Sequence, residues 1–267
     1  MKKFNKKIFS FILIFSLSFF LAISYSFHQV AIDSGLSLSD KIFFPPENNI
    51  FFYYANNSWS LVIQFIQFLI YLEFDISLIS KIILFLSTFF YSLGIYLTSK
   101  NISSSSYLAL LIVFFVMVFR KNFGDIDYPT LMFSEHTNGM ISLSLITLVF
   151  GLSCNRNFFS ASFLIGLLIS IHLTLGLWIF FIFFLTTIFF LKKKDFSVSS
   201  KRIAFGLISG IFVTIISFIF YKINLEPIPY NFNISSYTNY MNNWDAHRNF
   251  YGNLSVLNYE YIFKSTL

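Results

Sequence analysis

Charged side chains are scarce in this sequence. Asp, Glu, Lys and Arg make up 11% of its 267 residues, whereas hydrophobic residues make up 56% and the mean hydropathy is +0.72. A soluble domain of this length does not need so much apolar surface, so the composition indicates a polytopic membrane protein. We therefore expect an all-α fold, a bundle of transmembrane helices.

Cysteine and the common nucleotide-binding and metal-binding motifs are also lacking. The single cysteine, Cys154, excludes an intrachain disulfide and a cysteine-based metal site. There is no Walker loop, GxGxxG, HExxH or CxxC, so ATP hydrolysis, dinucleotide binding and zincin chemistry have no support. The net charge of +6 does not indicate nucleic acid as a partner, because the cations gather in short loops between apolar runs.

The longest stretch without a charged residue covers residues 158–191. As one straight helix it would extend about 50 Å, against a hydrocarbon core of about 30 Å. We therefore predict a hairpin with spans at about 158–172 and 174–191, whose polar tip is HLTLG at 172–176. The lysine triplet at 192–194 places the foot of this hairpin in the cytoplasm and His172 outside.

The remaining apolar runs predict five further spans, at about 8–27, 76–99, 107–119, 139–152 and 203–221. The first is preceded by four lysines and followed by a poor cleavage site, so we expect it to be retained with the N-terminus in the cytoplasm. Residues 222–267 form an outer tail. In this arrangement all four histidines and every acidic residue except Asp195 lie outside.

Residues 58–74 carry a polar stripe. Its members are Ser60, Gln64, Gln67 and Tyr71. Their spacing of i, i+4, i+7 and i+11 places them on one face of a helix. An amphipathic helix of this length fits the membrane interface better than a full crossing. We therefore predict an interfacial helix here.

Candidate catalytic carboxylates lie in the first outer loop. Asp33, Asp40 and Glu47 follow the first span, where a carboxylate can act as general base towards an acceptor hydroxyl or help to hold a divalent cation. The alternative is a solvated loop that needs charge.

The second outer loop contains a DxD motif, Asp125 and Asp127. Two such carboxylates can bind one divalent cation shared with a phosphate, which makes them candidate metal ligands, although the motif is short and common by chance. His136 precedes the span that begins near Gly139, and an imidazole at a helix N-terminus suits a bound phosphate. Simple capping of that helix is the alternative.

Two further polar groups are candidates for binding a substrate phosphate. His172 at the hairpin tip is either an interfacial residue or a donor at the outer face. The tail carries WDAHR at 244–248, in which Asp245, His247 and Arg248 stand beside an aromatic ring. Arginine binds phosphate bidentately and aromatic faces pack on sugar rings. An ordered loop on the outer surface is the alternative.

Two features lie within the predicted spans. Gly206 and Gly210 form a GxxxG motif, which predicts close helix packing. Lys81 shares a helix face with Ser77, Thr88 and Ser92, so it points into the bundle or snorkels outward.

The order of these features resembles the GT-C glycosyltransferases and, more closely, large bacterial multi-pass membrane proteins related to them. The residues that carry the likeness are PPE at 45–47, HLTLGL at 172–177 and WDAHR at 244–248, within residues 8–250. The resemblance implies a protein of the bacterial inner membrane that uses a lipid-phosphate-linked sugar, such as a polyprenyl-phosphate sugar, with a loop carboxylate as base. This chain has a lone Glu47 where an acidic pair would be expected, and such proteins usually continue with further spans, so a fragment is one interpretation. A non-enzymatic transporter or flippase-like subunit, dependent on Lys81 and polar span faces, is the alternative.

Overall fold

A computed structural model describes residues 6–24, 59–119, 138–190 and 197–224, and these residues form helices joined by short turns, with no strand. The helices are α1 (Lys6–Ser24), α2 (Leu61–Tyr71), α3 (Ile76–Ser103), α4 (Ser106–Val118), α5 (Asn138–Cys154), α6 (Phe158–Ile171), α7 (Leu173–Phe190) and α8 (Ser197–Ile223). The predicted all-α class is confirmed for this part of the chain.

Two of these helices are long and apolar enough to cross a membrane, judged by length and composition: α3, and α8 over Ser200–Ile223. The apolar stretches of the other described helices are shorter. The seven predicted spans therefore stay a prediction. Helix α2 has 11 residues, so it is about 16 Å long and far shorter than a hydrocarbon core of about 30 Å.

Helices α3 and α5 run parallel in close contact. Gly94 of α3 lies against α5, where a Cβ would come within 2.5 Å of the backbone of Thr147. Further along both helices, the Asn101 amide donates to the carbonyl of Cys154 at 2.8 Å, and the Asn155 amide donates to the carbonyl of Leu97 at 2.9 Å. Later residues of α3 thus meet later residues of α5.

Helices α6 and α8 form a second parallel pair, and the GxxxG motif is its contact surface. A Cβ at Gly206 would collide with the backbone of Phe159, and one at Gly210 with the carbonyl of Phe163. One turn later, Thr214 Oγ1 donates to the carbonyl of Gly166 at 2.8 Å. The predicted close packing at this motif is confirmed, because only a hydrogen at each Cα lets the backbones approach so closely.

Helix α1 runs antiparallel to α3. The ring of Phe11 meets that of Phe89 at a centroid distance of 5.4 Å, and Phe15 meets Phe85 at 5.0 Å. Earlier residues of α1 thus meet later residues of α3. These contacts belong to a hydrophobic cluster that α1, α3, α4 and the start of α5 share.

The predicted break of the 158–191 stretch is confirmed. Helix α6 ends at Ile171 and α7 begins at Leu173, so His172 alone separates them. Helix α7 then folds back on α6, since a Cβ at Gly176 would lie 2.5 Å from the backbone nitrogen of Ile169. Glycine is needed here for this close approach of two backbones.

These directions define two ends of the bundle. Along its long axis, α1 and α3–α8 alternate in direction, and the short α2 lies at one end. That end, here named the acidic end, includes Ser24, Trp59, Glu73, Asp75, Phe119, Asn138, His172 and Asn224. The opposite, basic end includes Lys100, Arg156, Lys201 and Arg202. Glu73 and Asp75 are the acidic residues of the described part of the chain, and both lie at the acidic end.

Candidate functional site

The first turn of α2 lies against the C-terminus of α6. Ser60 is the N-cap of α2: its backbone is extended, and its hydroxyl accepts the N–H of Val62 at 3.2 Å. The same hydroxyl donates to the carbonyl of Ile171 at 3.0 Å. One buried hydroxyl therefore pairs an unsatisfied donor of α2 with an unsatisfied acceptor of α6.

A second set of hydrogen bonds ties α2 to α8. The Ser217 hydroxyl accepts from Trp59 Nε1 at 3.1 Å and donates to Gln64 Oε1 at 2.7 Å. Gln64 Nε2 donates in turn to the backbone carbonyl of Ser217 at 2.8 Å. The Trp59 ring packs edge-on against Phe218, with centroids 5.0 Å apart. We call Trp59, Ser60, Gln64 and Ser217 the clasp.

The clasp shows what the polar stripe of α2 contacts. Ser60 and Gln64 face α6 and α8 through these hydrogen bonds, whereas Tyr71 at the end of the stripe is 83% exposed. Apolar residues of α2 are also buried in the bundle, among them Ile63 and Ile66. An interfacial position for α2 stays a prediction, and the first half of its stripe serves to fix the helix to its neighbours.

His172 joins α6 and α7 beside the clasp. Its N–H donates to the carbonyl of Leu168 at 3.0 Å, which ends α6, and its carbonyl accepts from the N–H of Gly176 at 2.8 Å. Its Nδ1 accepts from the N–H of Leu175 at 3.4 Å. The residue is therefore the C-cap of one helix and the N-cap of the next.

The same environment sets the protonation of His172. Burial lowers the pKa of its imidazole below the usual value, and a backbone hydrogen bond opposes this to a smaller extent. The neutral ring is thus favoured. Because Nδ1 accepts a hydrogen bond, the proton of the neutral ring is on Nε2, which leaves an N–H donor at the acidic end.

The acidic residues near the clasp have structural roles. Asp75 is the N-cap of α3, since its carboxylate accepts the N–H of Ser77 at 3.0 Å. Glu73 is exposed and occupies the left-handed region with φ 62°, in the turn between α2 and α3. Within the four described ranges, no three His, Cys, Asp or Glu residues lie close enough together to hold a metal ion.

Of the ten predicted site residues, His172 is the one that the structure describes. The others lie outside the described residues: Asp33, Asp40, Glu47, Asp125, Asp127, His136, Asp245, His247 and Arg248. The described residues that flank them are informative. Ser24 and Trp59 flank 25–58, Phe119 and Asn138 flank 120–137, and Asn224 precedes 225–267; each of these flanking residues lies at the acidic end.

Sequence reasoning missed Ser217. Its partner Gln64 is 153 positions away, and a serine within an apolar helix gives no local sign of such a contact. Sequence reasoning did identify Lys81, which is half-buried in α3, on the same helix as the fully buried Thr88 and Ser92.

No protein family, curated protein or solved structure matches this chain significantly.

Proposed function

We propose that the chain is a multi-pass membrane protein in which α1 and α3–α8 cross the bilayer and the basic end faces the cytoplasm. Large apolar side chains on the outside of the bundle support this, among them Phe20, Trp178 and Phe205, which are 68%, 65% and 68% exposed. Exposed apolar surface of this kind is unfavourable in water and favourable against lipid chains. Cations gathered at one end fit a cytoplasmic face.

We further propose that the acidic end carries a GT-C-like glycosyltransferase site at the outer face of the membrane. One observation carries this proposal. All three segments that contain the other candidate site residues are flanked by described residues of the acidic end, where His172 also lies. A bundle built in this way can bring a base, a cation site and phosphate donors to one membrane face.

In the proposed reaction, a sugar is transferred from a lipid phosphate to an acceptor hydroxyl. A carboxylate of the first outer segment, Glu47, Asp33 or Asp40, takes the proton of that hydroxyl, and the lipid phosphate leaves. Asp125 and Asp127 would hold a divalent cation, which stabilises the charge of the departing phosphate. His172 would donate from Nε2 to a phosphate oxygen, as would His136, His247 and Arg248. Asp245 would bind another part of the substrate, because a carboxylate accepts hydrogen bonds and does not donate them.

The test is a transfer assay with the purified protein in lipid nanodiscs. Polyprenyl-phosphate-linked sugars are supplied as donors together with acceptors that carry a hydroxyl group, and release of polyprenyl phosphate is measured. We expect Glu47→Gln, Asp33→Asn or Asp40→Asn to abolish release, because an amide cannot accept the proton. The matched control is Asp75→Asn, a carboxylate at the same end whose amide still caps α3. This control should keep full activity.

Full activity in all three loop variants would overturn the transferase proposal. A function in cells that is lost in Lys81→Gln and kept in the three loop variants would instead favour the transporter interpretation. Each variant is first checked for an unchanged melting temperature, so that loss of fold is not mistaken for loss of chemistry.

A further inference from the structure

Cations of α3, of the turn between α5 and α6, and of α8 lie at one level of the basic end. Reciprocal amide contacts, from Asn101 to the carbonyl of Cys154 and from Asn155 to the carbonyl of Leu97, hold the ends of α3 and α5 together. They bring the last turns of α3, which contain Lys100, to the level of the turn that contains Arg156.

Helix α8 adds two more cations at this level. Gly206 packs on Phe159 in the first turn of α6, and Lys201 and Arg202 precede Gly206 by about one turn. The turn with Arg156 directly precedes α6. We call Lys100, Arg156, Lys201 and Arg202 the basic patch.

The basic patch is open to solvent and has no acidic neighbour among the described residues. Arg156, Lys201 and Arg202 are exposed, and Lys100 is half-buried with its Nζ 5.5 Å from the centre of the Tyr96 ring. Glu73 and Asp75, the acidic residues of the described ranges, lie at the opposite end. Asp195, which the sequence predicts on this side, lies outside the described residues. Within the described ranges the four cations have no carboxylate partner and can meet an external anion.

Arg156 occupies a backbone conformation that favours glycine. Its φ is 56°, in the left-handed position that follows α5, and Ser104 has the same φ at the position that follows α3. Glycine adopts this conformation without steric cost, whereas a side chain with a Cβ is strained there. Strained residues are frequent at functional sites, which makes Arg156 the candidate anchor of the basic patch.

We propose that the basic patch binds the phosphate of anionic phospholipid headgroups, with Arg156 as its anchor. The proposal rests on the membrane placement above and is independent of the transferase chemistry. A bilayer headgroup region lies where the apolar surface of α8 ends, and the patch begins at that boundary, since Ile203 directly follows Arg202. Guanidinium binds a phosphate through two parallel hydrogen bonds, and juxtamembrane cations are attracted to an anionic leaflet.

The test compares melting temperatures in two kinds of nanodisc, one of phosphatidylcholine and one half of phosphatidylglycerol. We expect a higher melting temperature for the wild-type protein in the anionic discs, and a smaller difference at high salt. Arg156→Gly removes the charge and the backbone strain together. It should therefore raise the melting temperature in phosphatidylcholine while it removes most of the anionic shift.

Two control variants isolate the role of charge. Ser104→Gly relieves the same strain at the same end without a change of charge, so it should raise both melting temperatures equally and keep the full anionic shift. Lys222→Gln removes a cation of α8 at the acidic end and should also keep the full shift. Arg156→Asn is the second charge-removing variant, because asparagine tolerates the left-handed conformation, and it should lose the shift as Arg156→Gly does.

The proposal is overturned if Arg156→Gly and Arg156→Asn keep the full shift, or if Lys222→Gln loses as much as they do. It is equally overturned if inorganic phosphate added to phosphatidylcholine discs reproduces the shift, which would indicate a site for small anions. Failure of the membrane placement is distinguishable, since the protein would then not enter phosphatidylcholine discs at all. Failure of the transferase proposal would leave every one of these results unchanged.

Discussion

At the scale of single residues, His172 combines three backbone and ring contacts in one position. Its N–H, carbonyl and Nδ1 contact Leu168, Gly176 and Leu175 respectively, so that the chain reverses within one residue. A histidine can do this because a neutral imidazole presents one acceptor and one donor. The N–H on Nε2 takes no part in these capping contacts, and it is the group that would bind a substrate phosphate in the proposed site.

The cap predicts a pH dependence of stability. The pKa of His172 in the folded chain is lowered below its ordinary 6.5, so the unfolded chain takes up the proton first as the pH falls. The contribution of the neutral ring to stability is therefore complete above 6.5 and is lost as the pH drops below this value towards the folded pKa. We expect the melting temperature in detergent to fall as the pH drops below 6.5.

The matched variant for this prediction is His172→Asn. Asparagine is a good N-cap but does not titrate, so the fall in melting temperature below pH 6.5 should be smaller than in the wild-type protein. An equally steep fall in the variant would show that other groups cause it.

What the sequence predicts at this scale depends on whether the signal is local. The break at His172 is visible because a helix of the length of 158–191 exceeds the bilayer and the stretch HLTLG combines a histidine, a threonine and a glycine. The Nδ1 contact to Leu175 is not visible, since it depends on a rotamer. Ser217 gives no signal at all, because its partners Trp59 and Gln64 come from a distant part of the chain.

At the scale of elements, polar contacts fix the position of α2, although most of its residues are apolar. The buried Ser217 hydroxyl is both acceptor and donor, and Gln64 bonds to its backbone as well. Polar contacts between helices fix a short helix at one position along its neighbours, whereas apolar packing alone would allow it to shift.

Ser217→Ala tests this attachment. The substitution leaves Trp59 Nε1 and Gln64 Oε1 without their partner, and unsatisfied buried polar groups cost about 1–3 kcal/mol. We expect a loss of that size in the free energy of unfolding, measured by denaturant titration in detergent. Ser209→Ala is the control, because the Ser209 hydroxyl bonds only within α8, to the carbonyl of Phe205. Equal losses in the two variants would contradict the clasp.

The polar stripe of α2 shows which structural features sequence periodicity predicts. The spacing of Ser60, Gln64, Gln67 and Tyr71 identifies one helix face, but periodicity does not say what that face contacts. The GxxxG motif of α8 is more informative, because glycine at that spacing implies a partner backbone, and α6 is that partner. The helix limits differ slightly from the apolar runs: α3 continues to Ser103 and α8 begins at Ser197, since helical hydrogen bonding does not stop where hydrophobicity does.

At the scale of the whole molecule, alternation of helix direction sorts charge between two ends. The sequence predicts this sorting through the positions of its cations, and the parallel pairs α3–α5 and α6–α8 bring it about in three dimensions. In the proposed membrane placement, insertion decides which membrane face each end meets, and nine of the ten candidate site residues lie outside the described ranges. The sequence therefore predicts at which end of the bundle the candidate site lies.

The most direct measurement labels single cysteines in intact cells with a membrane-impermeant maleimide. Cys154 is exposed at the basic end, and Glu73→Cys in a Cys154→Ser background places an exposed thiol at the acidic end. We predict that Glu73→Cys is labelled from outside, and that wild-type Cys154 is labelled only after permeabilisation or in inverted vesicles. Labelling of both positions from the same side would contradict the alternating bundle, and with it the outer-face site.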